Sequence, residues 1–224
     1  MYRIICGELP SREELLQGLE LSEAYEGLMD VAEELVDACL AVAAPKAVYA
    51  CLPVSLCEGG VTVGDVVIDA PFVVEKLAPC SFAVPYVGTC GAEVEAWSES
   101  LADPLERYWA DRLKLLLLGR VQRALRDVVK AAHFAESEHM ASLNPGSLPQ
   151  WPISEQKKLF AMLGGGADAI GVILKESYLM VPTKSGSGIY FAHNEHYENC
   201  MLCPRVDCPN RRAPFAGSED GDVL

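Results

Sequence analysis

The longest hydrophobic pattern in the chain runs through residues 104–138 and predicts a helix. Apolar side chains recur there at three- and four-residue steps and can share one face: Leu105, Tyr108, Leu113, Leu116, Val121, Leu125 and Val128. Residues 115–118 are all leucine, so we expect this helix to be buried on several sides. Gly119 within it costs about 1 kcal/mol relative to alanine and therefore indicates close packing.

Shorter helical and strand-like patterns alternate irregularly through the rest of the chain. Helical periodicity covers residues 22–44, with Ser22 as the predicted N-cap, and residues 71–79 and 153–166. Strand-like runs occupy residues 46–54, 61–69, 80–90, 169–174, 177–182 and 186–192, and coil follows from His193. Such an order predicts an α+β fold in which helices flank a twisted antiparallel or mixed sheet.

Composition and charge narrow the possible partners. Half of the 224 residues are hydrophobic, so the chain can bury a substantial core. The net charge of −14 repels phosphate backbones, which argues against nucleic acid and anionic membrane surfaces as partners. The chain contains no run of about 18 apolar residues, and its start lacks a basic-then-apolar secretion signal. These features predict a cytoplasmic protein without a transmembrane segment.

Nine cysteines fall into two groups. Six are scattered among apolar neighbours and are expected to be buried, reduced thiols: Cys6, Cys39, Cys51, Cys57, Cys80 and Cys90. The other three, Cys200, Cys203 and Cys208, lie close together in the C-terminal tail. The pattern therefore separates a set of structural thiols from a local cluster.

The tail cluster has the spacing of a metal site. A Cys-x2-Cys turn lets two thiolates reach one ion or one cluster edge, and Cys208 adds a third ligand. The spacing is compatible with an iron–sulfur cluster, with structural zinc, or with a cysteine-rich loop that holds no metal. The fourth ligand would be an upstream cysteine, His193 or His196, or an open position on the iron.

Residues 174–191 resemble a core segment of the activation domain of cobalamin-dependent methionine synthase. The family has Leu-Thr-Glu-Ser, a hydrophobic stretch with Met and Pro, and then Ser-x-Ser-Gly-x-Tyr-Phe. The matching positions here are Leu174, Glu176, Ser177, Met180, Pro182, Ser185, Ser187, Gly188, Tyr190 and Phe191. Residues 144–163 resemble the family's Pro-Gly loop and the helix after it, and residues 108–113 resemble the start of its long helix.

The resemblance implies a groove that binds S-adenosylmethionine (SAM). The implied cofactor-binding residues are Pro145, Gly146, Glu176, Tyr190 and Tyr197. In the family this domain presents SAM to an inactive cobalt(II) cofactor, and one-electron reduction with methyl transfer restores methylcobalamin.

Three departures from the family pattern argue against SAM binding. The family's arginine before the loop glycine is Ser142 here, its loop tyrosine is Ser147, and its acid on the long helix is Leu115. Without these groups the ligand's zwitterion loses charge-assisted hydrogen bonds worth about 1.5–3 kcal/mol each.

Together, these patterns favour an activation-domain-like unit, residues 1–197, followed by a cysteine-rich tail, residues 198–224. The chain has no Asp-x-His-x-x-Gly run, so cobalamin would sit on a partner, a corrinoid protein or cobalamin-dependent methyltransferase. The favoured function is reductive activation of that partner through an iron–sulfur cluster on the tail. The alternatives are a non-enzymatic binding module with structural zinc, and a SAM-binding reactivation domain. Whether the chain is itself an enzyme stays open.

Overall fold

A computed structural model describes residues 1–21, 27–194, 197–203, 207, 211 and 213–216. The strands in these ranges are β1 (Arg3–Cys6), β2 (Lys46–Tyr49), β3 (Leu52–Cys57), β4 (Gly60–Val63), β5 (Val66–Ile68), β6 (Phe82–Thr89), β7 (His139–Leu143), β8 (Ile173–Leu174), β9 (Met180–Val181) and β10 (Ser185–His193). The helices are α1 (Arg12–Gly18), α2 (Met29–Val42), α3 (Pro71–Leu77), α4 (Ala92–Ser100), α5 (Pro104–His133), α6 (Gln156–Leu163) and α7 (Gly166–Ala169). Across these ranges, every helix is too short or too polar to span a lipid bilayer.

The main sheet is built around β6. One edge of β6 pairs with β2, which pairs onward with β1, and further along the same edge with β3, which leads into β4 and β5. The other edge of β6 pairs with β10, and β10 pairs with β7. All of these pairings are antiparallel, and β8 and β9 form a separate hairpin. The α+β class and the antiparallel sheet expected from the sequence are confirmed.

Helices cover both faces of the sheet because alternate strand residues point to opposite sides. On one face, Val48, Val87 and Ile189 pack with residues of α3, α6 and α7. On the other face, Tyr49, Tyr86 and Tyr190 pack with the buried side of α5. A third hydrophobic cluster joins α1, α2 and α4 to the first half of α5. The long helix is therefore the element that links the sheet to the helical layer.

An N-cap residue and a proline define the start of α5. The Asp103 carboxylate accepts hydrogen bonds from the backbone N–H groups of Leu105 (2.7 Å) and Glu106 (3.2 Å), and Pro104 occupies the first turn. The helix ends at His133, five residues before the predicted end at residue 138. Residues 139–143, which the sequence did not predict as a strand, form β7 and pair with the outer edge of β10.

The predicted face of α5 needs a correction. The buried positions include Trp109, Leu113 and Leu117, whereas Tyr108 is 57% exposed and Val128 is 41% exposed. Gly119 is not closely packed either, since an added Cβ would meet only the Arg123 guanidinium, at 3.7 Å. One side of this leucine-rich helix therefore faces open space.

Several other expectations about secondary structure and cysteine burial can be compared with the structure. The sequence reasoning did not anticipate β1, α1 or α4, and Ser22, the predicted N-cap, lies outside the described residues. Cys39 and Cys90 are buried as expected, and burial raises the pKa of both thiols to about 12. The prediction that Cys6 and Cys51 are buried was wrong, because both lie on the surface.

Candidate functional site

A groove of about 600 Å³ lies between α5 and the sheet. It is lined by Tyr86, Leu115, Leu118, Gly119, Gln122, Arg123, Arg126, Asn144, Tyr190, Cys200 and Arg211. Five parts of the chain meet here: the exposed side of α5, the strands β6 and β10, the residue after β7, and the start of the tail. The groove includes Gly119 of α5, which has open space beside it.

Two strand glycines let these elements approach one another. An added Cβ at Gly186 would collide with the Gln122 amide on α5, and one at Gly188 would collide with Asn144 and the Leu143 carbonyl. Glycine inside a strand weakens the strand and often marks such a close approach. The Ser-Gly-Ser-Gly run at the start of β10 is thus explained by the packing around the groove.

The serines of the same run have structural partners. Ser185 Oγ donates to the Pro182 carbonyl (2.8 Å) and is hydrogen-bonded to the Thr89 hydroxyl (2.9 Å). Ser187 Oγ donates to Gln156 Oε1 (3.1 Å), which links β10 to α6. These bonds fix the strand from which Tyr190 points.

An aromatic and amide network forms the floor of the groove. The rings of Tyr86 and Tyr190 stack with their centroids 4.3 Å apart, and the Arg126 guanidinium lies 6.0 Å from the Tyr190 centroid. Asn144 Nδ2 donates to the Tyr86 hydroxyl (2.9 Å) and to the Ser187 carbonyl (2.7 Å). Since both tyrosines are almost fully buried, the floor is preorganised rather than assembled by a ligand.

Arg126 has hydrogen-bonding capacity left over. Its Nη2 donates to the Met140 carbonyl (3.2 Å) and to the buried Glu198 carboxylate (3.3 Å). Its Nη1 is buried and has no hydrogen-bond partner among the described residues. Buried polar groups are rarely left unpaired, so this nitrogen marks a place where a ligand atom or a water belongs.

The three residues that depart from the family pattern lie in different parts of the structure. Leu115 lines the groove and is 39% exposed. Ser142 is buried on β7, opposite Tyr190 in the register. Ser147 is exposed on the loop after β7 and does not line the groove. Around Leu115, the lining presents arginine and amide groups in place of a carboxylate.

The Pro145–Gly146 loop lies beside the groove. Gly146 adopts a φ of +81°, which favours glycine, and its N–H donates to the Trp151 carbonyl (2.7 Å). Pro145 is buried, and neither residue lines the groove, although the preceding Asn144 does. The loop therefore supports the predicted site through Asn144.

Two further predicted residues lie apart from the groove. Glu176 is exposed in the turn between β8 and β9. Tyr197 packs against the rings of Phe191 and His193, and its hydroxyl is hydrogen-bonded to the Asn199 amide at 3.0 Å. Burial, with a contribution from the Glu198 charge, raises the pKa of Tyr197 well above its usual value. Of the five predicted cofactor-binding residues, the structure places Tyr190 in the groove itself.

Arg211 forms hydrogen bonds to the backbone at the start of the tail. Arg211 Nη1 donates to the carbonyls of Cys200 (2.6 Å) and Ala213 (2.9 Å), and Nη2 donates to the Cys203 carbonyl (2.8 Å). Cys200 also lines the groove. The described first residues of the tail therefore contribute to the groove.

The described residues test only part of the predicted metal site. Cys208 and His196 lie outside them. Within the described ranges, no three His, Cys, Asp or Glu side chains come together as metal ligands would. His193, another candidate ligand, lines a different cleft of about 420 Å³ together with Cys80. The metal site stays a prediction.

Sequence reasoning missed most of the groove. It did not single out Tyr86, Gln122, Arg126 or Asn144. A signal was present, because Gln122 and Arg126 are one helical turn apart on α5, and Gly88, Gly186 and Gly188 interrupt two buried strands. Polar residues one turn apart on a helix, facing strand glycines, indicate a groove.

Comparisons with known proteins agree with this architecture. Residues 143–202 match the sequence model of the family described as "Vitamin B12 dependent methionine synthase, activation domain". The fold matches a solved structure described as "Crystal Structure of the MetH Reactivation Domain bound to AdoHcy", with a TM-score of 0.60 and 16% sequence identity. That match covers 89% of this chain and 81% of the other. No curated protein matches the sequence.

Proposed function

From its relationship to the activation domain of vitamin B12-dependent methionine synthase, we propose that this chain is a reactivation module for a cobalamin-dependent methyltransferase. Its groove would bind an adenosyl ligand of the SAM and S-adenosylhomocysteine (AdoHcy) class, and the cobalamin would be carried by a partner chain. The solved structure similar to this one is described as bound to AdoHcy. The observation that carries the proposal is the preformed groove between α5 and β10.

The groove suits one polar ligand with an apolar part. Leu115 and Leu118 offer apolar surface on α5, Arg123 and Arg126 offer polar groups further along the same helix, and Asn144 offers an amide from the residue after β7. Small-molecule sites commonly combine apolar walls with a few convergent polar groups. The volume of about 600 Å³ lies within the usual range for such sites.

Calorimetric titration of AdoHcy and SAM into the full chain tests the proposal. We expect saturable binding of AdoHcy and weaker binding of SAM, because SAM carries a net positive charge and three arginines line the groove. Gly119→Leu places a side chain in the open part of the groove and should weaken binding at least about tenfold, a loss of about 1.4 kcal/mol.

Ala131→Leu is the matched control, since Ala131 is an exposed position near the far end of α5. This variant should bind as the unaltered chain does. Flat titrations with both ligands at millimolar concentration, or equal losses in the two leucine variants, would remove the adenosyl ligand from the proposal.

The partner is tested separately with a purified cobalamin-loaded methyltransferase domain. We expect a complex on size-exclusion chromatography and a change in the absorption spectrum of the bound cobalamin when the chain is added. Separate elution with an unchanged spectrum would contradict the corrinoid partner while leaving ligand binding intact.

The tail supports a second candidate, an iron–sulfur or zinc site on Cys200, Cys203 and Cys208. What supports it is the bonding of Arg211 to the backbone of two of these cysteines and the position of Cys200 at the groove. A bound cluster would supply single-electron transfer, and zinc would tie the tail together.

Anaerobic purification, followed by an absorption spectrum and measurement of iron, sulfide and zinc, decides between them. Cluster bands with stoichiometric iron and sulfide would support redox activation, and one zinc would support the structural alternative. Cys200→Ser should reduce the metal content, whereas Cys51→Ser, at an exposed cysteine outside the tail, should not. A protein without metal after reconstitution would exclude both.

A further inference from the structure

The arginines of the groove stand out in a strongly acidic chain. The chain carries 32 acidic against 18 basic residues, yet among the described residues the groove lining includes Arg123, Arg126 and Arg211 and no aspartate or glutamate. Within the described structure, Glu198 pairs with Arg126 from outside the lining. The groove is thus a local positive region on a molecule whose overall field is negative.

The three arginines differ in what they can still bind. Arg211 already gives both terminal nitrogens to backbone carbonyls of the tail. Arg126 keeps Nη1 buried and without a hydrogen-bond partner in the part of the chain that is described, while Nη2 is held by Glu198 and Met140. Arg123 is exposed one turn earlier, within reach of Gly119.

We infer that Arg126 and Arg123 form an oxyanion site, so that the natural ligand of the groove carries a carboxylate or a phosphate. A guanidinium that is fixed through one terminal nitrogen, while the other lacks a hydrogen-bond partner among the described residues, is preorganised for an oxygen anion, and charge-assisted hydrogen bonds are the strong ones. Leu115 in the lining is apolar and offers no carboxylate to a cationic ligand group. The inference uses the groove of the proposed function but does not require an adenosyl ligand.

The test is an NMR titration of the isotope-labelled full chain with inorganic phosphate and, separately, with acetate at constant ionic strength. We expect saturable shifts of the backbone amides of Gln122, Arg126 and Tyr190. Phosphate alone would identify a phosphate-bearing ligand, and acetate binding as well would identify a carboxylate; either supports the site. Absence of saturable shifts with both anions would overturn it, whatever AdoHcy does.

Three arginine variants distinguish a specific anion site from nonspecific electrostatic attraction. Arg126→Gln should weaken anion binding at least about tenfold, and Arg123→Gln several-fold. Arg120→Gln is the control, because Arg120 is on the same helix but pairs with Glu14 on α1, at 3.4 Å. Equal losses in Arg123→Gln and Arg120→Gln would overturn the inference. Since Arg123 is exposed, its variant keeps the test valid even where Arg126→Gln disturbs folding.

Discussion

At the scale of single residues, two glycines shape the groove, one in its floor and one in its α5 wall. Gly188 on β10 leaves the space occupied by the Asn144 amide and the Tyr86 hydroxyl, and both belong to the floor of the groove. Gly119 on α5 has open space beside it. The two glycines therefore predict opposite effects of the same added methyl group.

Gly188→Ala should destabilise the fold by about 1–3 kcal/mol, because the added Cβ overlaps a backbone carbonyl and two side chains that cannot move freely. Gly119→Ala should instead stabilise it by about 0.5–1 kcal/mol, since alanine is the better helix former. Urea unfolding of both variants measures the difference. A Gly188→Ala variant as stable as the unaltered chain would show that the strand relaxes around the clash.

Arg211 is a single residue that holds the tail. Arg211→Ala removes three hydrogen bonds to the carbonyls of Cys200, Cys203 and Ala213, each worth roughly 1 kcal/mol. We expect a thiol reagent to label Cys200 and Cys203 faster in this variant, and mass spectrometry measures the labelling rates. Each lost bond increases the open population about fivefold.

Arg107→Ala is the matched control for this experiment. Arg107 also donates to a backbone carbonyl, that of Leu101 at 2.6 Å, but it lies at the start of α5. Its loss should leave the labelling rates of the tail cysteines unchanged. Unchanged rates in Arg211→Ala would mean that other contacts hold the tail.

At the scale of elements, an ion pair joins α4, α5 and the segment before β10. Lys114 Nζ lies 2.9 Å from Glu95 Oε2, each side chain is 9% exposed, and the Thr183 N–H donates to Glu95 Oε1 (3.0 Å). Burial acts to raise the pKa of Glu95, but the bonds from Thr183 and Lys114 outweigh it and lower the pKa. The carboxylate is therefore held charged in a nearly dry position.

Lys114→Met should cost about 3 kcal/mol at neutral pH, because it leaves the Glu95 charge buried without its cation. A lowered pKa means that Glu95 contributes stability above its ordinary pKa of about 4.3, and that this contribution is lost as pH falls through the folded value. The deficit of the variant should accordingly shrink in acid, where Glu95 can be protonated.

Lys46→Met is the control for this pair. Lys46 contacts Glu93 at 2.7 Å on the surface, where the side chains are 29% and 44% exposed, and such pairs contribute about 0–1 kcal/mol. Unfolding at two pH values compares the variants. A deficit in Lys114→Met that does not change with pH would contradict the role assigned to Glu95.

The sequence predicted those helices and strands whose own residues show a clear hydrophobic periodicity. Helix α5, strand β6 and the family segment around β10 combine strong periodicity with clear caps or glycines, and the sequence alone indicated them. Strand β7 was not predicted from the sequence, and its residues form a strand by pairing with the edge of β10. The groove was missed for the same reason, since Arg126 and Asn144 meet only after the chain has folded.

At the scale of the whole molecule, the boundary between domain and tail is in question. The sequence divided the chain after residue 197, but Glu198 and Asn199 are each only 4% exposed. Glu198 pairs with Arg126 on α5, and the Asn199 amide contacts Asn144. These contacts predict that the folded unit extends past residue 199 and includes the first part of the tail.

Two truncations test that boundary. Removal of residues 204–224 keeps Glu198 and Asn199 and loses the two Arg211 bonds to the Cys200 and Cys203 carbonyls, so it should lower the free energy of unfolding by no more than about 2 kcal/mol. Removal of residues 198–224 also deletes the partner of the Arg126 guanidinium, and losing a hydrogen bond to a charged group costs about 1.5–3 kcal/mol more. Equal stability of the two truncated chains would place the boundary at residue 197 and make the tail an independent segment. A gap of the expected size would instead make the wall of the groove dependent on the tail, which couples ligand binding in the groove to whatever the tail cysteines hold.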